Sequence, residues 1–80
     1  MDKDDKKKFY NIQSELQLAL SVARHARNKD LSELLIKYGN NKQVTTIWAN
    51  MVDACVLMDN AILAIDELVQ LNEPNKKEVE

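Results

Sequence analysis

The sequence has little of the residue types that reinforce small domains through covalent bonds or metal ions. Cys55 is the only cysteine, so no disulfide can form within one chain. His25 is the only histidine, and without a second soft ligand we expect no metal site. Gly39 is the only glycine, which excludes a glycine-rich phosphate loop. The remaining reinforcement for a domain of 80 residues is oligomerisation.

Charge and hydropathy exclude further classes of protein. The net charge of −2 at pH 7 is neither basic enough for a nucleic-acid footprint nor strongly acidic, so it selects no partner. Asp53, Asp59 and Asp66 interrupt the longest apolar segment, so we expect no membrane span. A lone cysteine among apolar residues suits a reducing compartment. Because no apolar segment follows the first residues, we expect no signal peptide and predict a cytoplasmic protein.

The longest regular pattern runs from Val44 to Leu71 and predicts a long C-terminal helix. Its apolar residues recur at steps of four and three, which keeps them on one side of a helix: Val44, Trp48, Met51, Cys55, Met58, Ile62, Ile65 and Val69. A second apolar series with a spacing of seven extends this surface: Ile47, Ala54, Ala61 and Leu68. The combined surface is wider than one neighbouring helix covers, so we expect a second copy of the chain to complete a bundle.

The N-terminal half predicts a first helix from Phe9. Its apolar residues also step by three and four: Phe9, Ile12, Leu16, Ala19, Ala23 and Ala26. Residues 1–8 form a charge cluster, which we interpret as a flexible N-terminus in which Asp4 or Asp5 caps the helix.

Between the two long patterns the sequence predicts a short second helix. Asp30 followed by Glu33 is a capping pair, and it favours a break or kink near Asn28. A competing interpretation keeps the first two helices continuous, because another series is also helical in spacing: Leu16, Leu20, Ala23, Arg27, Leu31, Leu34 and Tyr38.

A turn follows the short helix. Gly39 is expected to end that helix in the left-handed conformation. Asn40 and Gln43 form a second capping pair that starts the long helix. Pro74 ends it, because proline cannot continue a helix.

These patterns define one all-α domain. We predict a short helical bundle of residues 9–71, with two or three helices per chain and one long C-terminal helix, completed by homo-oligomerisation. Residues 72–80 are predicted to be a disordered tail. The residues expected in the assembly core are Leu16, Ala19, Ala23, Trp48, Met51, Cys55, Met58, Ile62 and Ile65.

No residue set in the chain indicates a catalytic reaction. Cys55 occupies a core position, where a thiol behaves as a small apolar group. Asp53, Asp59 and Asp66 are expected to face solvent rather than to hold a metal ion. We therefore predict that the protein is not an enzyme and has no cofactor.

The leading functional hypothesis is a helical interaction protein, a regulator, adaptor or inhibitor that binds itself and another protein. The layout resembles that of short helical regulators of bacteria and phages, although no motif matches one family. One alternative is a DNA-binding regulator that uses the helix-turn-helix-like segment 31–49. Another is an oligomer that sequesters a small anion such as a nucleotide. The candidate anion or partner contacts are Arg24, His25, Arg27, Lys29 and Tyr10.

Overall fold

The computed structural model describes residues 1–71, which fold as a helical hairpin. Helix α1 spans Lys3–His25, and a π-helical turn, Ala26–Leu31, joins it to the short helix α2, Ser32–Lys37. Helix α3 spans Lys42–Leu71. The predicted all-α class is confirmed, and residues 1–71 contain no strand. The predicted tail and the stop at Pro74 lie outside the described residues.

Helix α1 begins at Lys3, six residues before the apolar pattern that starts at Phe9. The cap is Asp2, whose side chain accepts a hydrogen bond of 2.9 Å from the backbone N–H of Asp5. The prediction of Asp4 or Asp5 as the cap was therefore wrong. Both residues lie in the first turn, where carboxylates stabilise the positive end of the helix dipole.

No break occurs near Asn28, because the chain stays helical from α1 into α2. The departure from regular α-helix at this position is the π-helical turn Ala26–Leu31. Asp30 lies inside this turn and so cannot cap a new helix. The hydroxyl of Ser32 donates to the carbonyl of Arg27, five residues earlier, at 2.9 Å. The local capping signal is thus overridden by continuous helix.

The π-helical turn has a clear effect on which residues face α3. In regular α geometry, residues 30 and 31 would lie on either side of the direction set by Leu20, Ala23 and Arg27, so Asp30 would lie beside the seam together with Leu31. A π turn accommodates one extra residue and shifts the following register by one position. Leu31 is accordingly buried, whereas Asp30 is exposed. The turn therefore keeps a carboxylate out of the helix interface.

The connection between α2 and α3 is a tight turn at residues 38–41. Gly39 does not have a positive φ, so the prediction of a left-handed glycine was wrong. A Cβ at this position would lie 2.9 Å from the carbonyl oxygen of Leu35, so the turn needs glycine because backbone passes close by. Asn41, rather than Asn40, caps α3 by accepting from the N–H groups of Gln43 and Val44 at 2.9 and 3.1 Å.

The two long arms of the hairpin run antiparallel, since Gln13 contacts Asp66 while Arg24 approaches Asp59. The molecule measures 58 × 19 × 16 Å. Its radius of gyration is 17.9 Å, whereas a compact domain of this length has about 12 Å. The protein is therefore an elongated rod two helices wide. Within residues 1–71, no helix combines the length and hydropathy needed to cross a bilayer.

The hydrophobic core is the narrow seam between α1 and α3. Leu20, Cys55 and Ile62 form its buried cluster, with Leu16, Ala23 and Met58 packed against it. Leu31 and Val69 are also buried. Of the residues that the α3 pattern placed on one side, Cys55, Met58 and Ile62 therefore pack against α1. Trp48 belongs to the same series but is less buried: 37% of its surface is exposed, near the end of the rod that contains the turn.

Candidate interaction surface

A buried glutamine ties the two arms of the hairpin together. Gln13 is only 9% exposed, and its Nε2 atom donates two hydrogen bonds of 3.0 Å across the seam. The acceptors are the backbone carbonyl of Ile62 and the carboxylate of Asp66. Both hydrogens of the amide nitrogen are thus satisfied. Asp66 was expected to face only solvent, but it lies beside the seam and its carboxylate holds α1 against α3 through this hydrogen bond.

A second polar contact lies further along the same side of the rod. The guanidinium of Arg24 is 3.9 Å from the carboxylate of Asp59, and both side chains are about half exposed, at 50% and 51%. Such an exposed ion pair contributes little to stability. A shallow groove runs beside it, lined by Gln17, Leu20, Ser21, Arg24, Asp59 and Ile62. We call this side the polar edge, defined by Gln13, Gln17, Ser21, Arg24, Asp59 and Asp66.

The opposite side of the hairpin carries apolar residues on both arms, and the charged residues Lys8 and Glu15 lie at its outer border on α1. Each helical residue turns the side chain by about 100°, so residues one position before the buried Leu20 and Cys55 point away from the polar edge. Repeats of seven extend this side along each arm. We call it the apolar face and define it by Ile12, Ala19 and Ala26 of α1 and Ala54, Ala61 and Leu68 of α3.

The structure divides the predicted assembly core between the seam and its borders. Cys55 and Ile62 are buried in the seam. Five others are partly buried: Leu16, Ala23, Met51, Met58 and Ile65. Ala19 and Trp48 are exposed. Most residues of the predicted core therefore contact the opposite arm of the same chain. Only the exposed and partly buried residues of the set remain accessible to a second chain.

The five candidate contact residues do not form one cluster. Tyr10 is 45% exposed and lies seven residues before Gln17, on the polar edge with Arg24. His25 and Lys29 are exposed elsewhere around the rod. Arg27 is half-buried, and its Nε atom donates to the side chain of its neighbour Asn28 at 3.0 Å. The geometry thus joins Tyr10 and Arg24 alone to one surface.

The segment proposed to read DNA contains α2, the turn at residues 38–41 and the start of α3. Helices in a helix-turn-helix motif cross at about 90–120°, whereas α2 and α3 continue the two antiparallel arms of a rod. The hydroxyls of Thr45 and Thr46, at the start of α3, each donate to the carbonyl of Lys42, at 2.9 and 2.8 Å. Both hydroxyl groups therefore form hydrogen bonds within the first turn of α3.

No group of three or more potential metal ligands occurs among residues 1–71. The thiol of Cys55 is buried between the arms at 3% exposure. The surface features of the described residues are a polar edge, an apolar face and the turn between the arms.

Comparison with known protein families, with curated proteins and with solved structures finds no match to this chain.

Sequence reasoning missed Gln13, although a signal for it existed. Phe9, Gln13, Leu16 and Leu20 step by four, three and four, so the glutamine occupies a seam position in an otherwise apolar series. A polar residue at such a position predicts a hydrogen bond across the helix interface. Its acceptor, Asp66, followed only from the antiparallel pairing of the arms.

Proposed function

We propose that the protein is a non-enzymatic helical interaction protein, a regulator, adaptor or inhibitor. It works as a homo-oligomer and binds another protein. The free, buried thiol of Cys55 supports a reducing, cytoplasmic setting for it.

The observation that carries this proposal is the exposure of large apolar side chains on both sides of the α3 seam. Ile47 is 53% exposed on one side, and Val56 and Leu63 are 52% and 54% exposed on the other. Burying such surface contributes about 25 cal/mol per Å². A hairpin has only one second arm, and that arm covers only the seam. Both sides of α3 are therefore available to other molecules.

The two sides suit different partners. The polar edge combines Tyr10 and Arg24 with the exposed apolar residues Val56 and Leu63, and tyrosine and arginine are enriched in protein–protein interfaces. We assign this side to another protein that presents an apolar surface beside charged groups. The apolar face remains for self-association.

The proposal is tested by measuring mass in solution and by capturing partners. Light scattering at micromolar concentration is expected to give a multiple of the 9.2 kDa chain mass. Immobilised wild type is expected to retain specific proteins from its host extract, and Leu63→Glu to lose them. Asn60→Glu, a change at an exposed polar position of the same helix, serves as the control and should retain them. A monomer that captures nothing beyond what Leu63→Glu captures would contradict the proposal.

Two other functions are separated by simple binding measurements. A DNA-binding regulator would show affinity that falls steeply as salt rises, because phosphate contacts release counterions. A protein that sequesters small anions would melt at higher temperature when a nucleotide is added. We expect neither response from the wild-type protein.

A further inference from the structure

We propose that a second copy of this chain packs on the apolar face to form a two-fold dimer with a four-helix cross-section. This inference rests on the self-association in the proposed function and names the surface, the occupant and the symmetry.

The first support is the distribution of charge on α3. When residues 43–71 are sorted into their seven series of spacing seven, five series contain no charged residue. The series that starts at Ala49 lies apart, between the two charged series, and the other four are neighbours around the helix. These four series start at Gln43, Val44, Ile47 and Trp48. The four carboxylates of the helix, Asp53, Asp59, Asp66 and Glu67, all belong to the remaining series. Depletion of charge is typical of the centre of a protein interface.

The second support is that both arms contribute to this face at matching heights. Gln13 is level with the Ile62–Asp66 turn and Arg24 with the turn around Asp59. The apolar face therefore forms three layers along the rod: Ile12 with Leu68, Ala19 with Ala61, and Ala26 with Ala54. Leu34 and Ile47, which are 46% and 53% exposed, extend it as a fourth layer towards the turn.

The order of these layers makes the face complementary to itself. Large side chains lie at both ends and alanines lie in the middle, so the sequence of sizes reads the same in either direction. An isologous dimer requires one patch that fits a copy of itself. Two-fold axes along or across the rod both bring alanine layers against alanine layers, where backbones can approach closely. A partner with a different layer order would not fit both ends.

The third support is the area. The face runs from Ile47 to Leu68, about 32 Å at 1.5 Å per residue, and the rod is 19 Å wide. Each copy would cover about 600 Å², or about 1,200 Å² for the pair, which reaches the range of specific dimers. The partly buried residues Met58 and Ile65, at the border of the seam, would become buried in the same contact.

The test uses cysteine as a small reporter in a Cys55→Ala chain. Ala61→Cys places a thiol on the apolar face. Asn60→Cys places one about 100° around the same helix, in the polar series that also contains Asp53 and Glu67. The rate of reaction with a maleimide is measured over a range of protein concentrations that spans the association measured by light scattering. Circular dichroism confirms that both variants keep the helical fold.

We expect the thiol of the Ala61→Cys variant to react at least about tenfold more slowly at high than at low protein concentration, because contact with the second copy excludes the reagent. The thiol of the Asn60→Cys variant should react at one rate throughout. A dimer in which both thiols react equally fast at every concentration would overturn this proposal and leave self-association standing. A chain that is monomeric at every concentration would overturn this proposal and also the homo-oligomer part of the proposed function.

A charge substitution gives a second, independent readout. Ala61→Glu should raise the dimer dissociation constant by about 100-fold or more, because each copy would bury an unpaired carboxylate. Asn60→Glu should leave the dissociation constant unchanged. Equal dissociation constants for the two variants, with helical content retained, would overturn the assignment of this face.

Discussion

Gln13 and Asp66 lie 53 positions apart in the sequence and are joined by a hydrogen bond of 3.0 Å across the seam of the hairpin. The same amide nitrogen also donates to the carbonyl of Ile62. This bond fixes the height of α1 against α3, because a shift by one turn would leave a buried amide without its acceptors. The hydrogen bonds of Gln13 therefore set the register between the two helices, which apolar contacts alone would leave less well defined.

Gln13→Ala is expected to lower the free energy of unfolding by about 1–3 kcal/mol, since a buried pair of hydrogen bonds is lost. Urea denaturation at fixed protein concentration measures this. Gln17→Ala, on the same edge, is the control and should change little. In a double-mutant cycle with Asp66→Ala, a coupling near zero would show that the bond does not contribute to stability.

Ile62→Ala should lower the free energy of unfolding by about 2–5 kcal/mol, because it leaves a cavity at the centre of the seam. Ile62 is 8% exposed, whereas its neighbour Leu63 is 54% exposed. Leu63→Ala is the matched control and should cost about 0.5 kcal/mol or less. Equal losses for the two variants would contradict the position of the core.

Deletion of Lys29 should convert the π-helical turn into regular α-helix while Leu31 and Leu35 keep facing α3. The free energy of unfolding is expected to stay within about 1 kcal/mol of wild type or to exceed it. Deletion of Asn60 from α3 is the control. It turns Ile62 and Val69 by about 100° out of the seam and should abolish cooperative thermal unfolding. Similar damage from both deletions would contradict the register argument.

Gly39→Ala is expected to destabilise the protein by about 0.5–3 kcal/mol. The new Cβ would lie 2.9 Å from the carbonyl oxygen of Leu35, and backbone cannot yield as a flexible side chain can. Asn40→Ala, at the next position of the turn, should stay within about 0.5 kcal/mol of wild type. Thermal melts at one protein concentration compare the three chains, and an unchanged Gly39→Ala melt would contradict the close approach.

The long helix could be predicted from the sequence because its apolar spacing is uninterrupted from Val44 to Val69. The predicted cap of α3, Asn40, and the observed cap, Asn41, differ by only one residue. Its inward side was also predictable, as the burial of Cys55, Ile62 and Val69 confirms. Apolar residues that alternate in steps of three and four over many turns predict both that the segment is helical and which side of the helix is buried. They do so without information about the segment that packs on that side.

The link between α1 and α2 could not be predicted from local signals. Asp30 and Glu33 form a good capping pair, and only packing against α3 decides that Leu31 must face inward instead. The π-helical turn is the result of that tertiary requirement. Gly39 was singled out correctly as a turn residue, but for the wrong reason: the demand comes from the Leu35 carbonyl rather than from a positive φ.

The candidate surface was predicted in outline. The excess of apolar residues on α3 indicated a need for further contacts, and the half-exposed Ile47 and Leu63 are the residues that present it. The sequence could not divide that excess between two sides of the rod. That division required the positions of Arg24 and Asp59, which mark the polar edge.

The short turn at residues 38–41 also has a kinetic consequence. Because the turn is short, the two arms can begin to pair next to it at a small cost in loop-closure entropy. Helical proteins dominated by such local contacts fold in microseconds to milliseconds. Encounter of two chains takes milliseconds to minutes and depends on their concentration. Each newly made chain is therefore expected to complete its hairpin first, and the proposed dimer would then form at a rate set by the concentration of the protein.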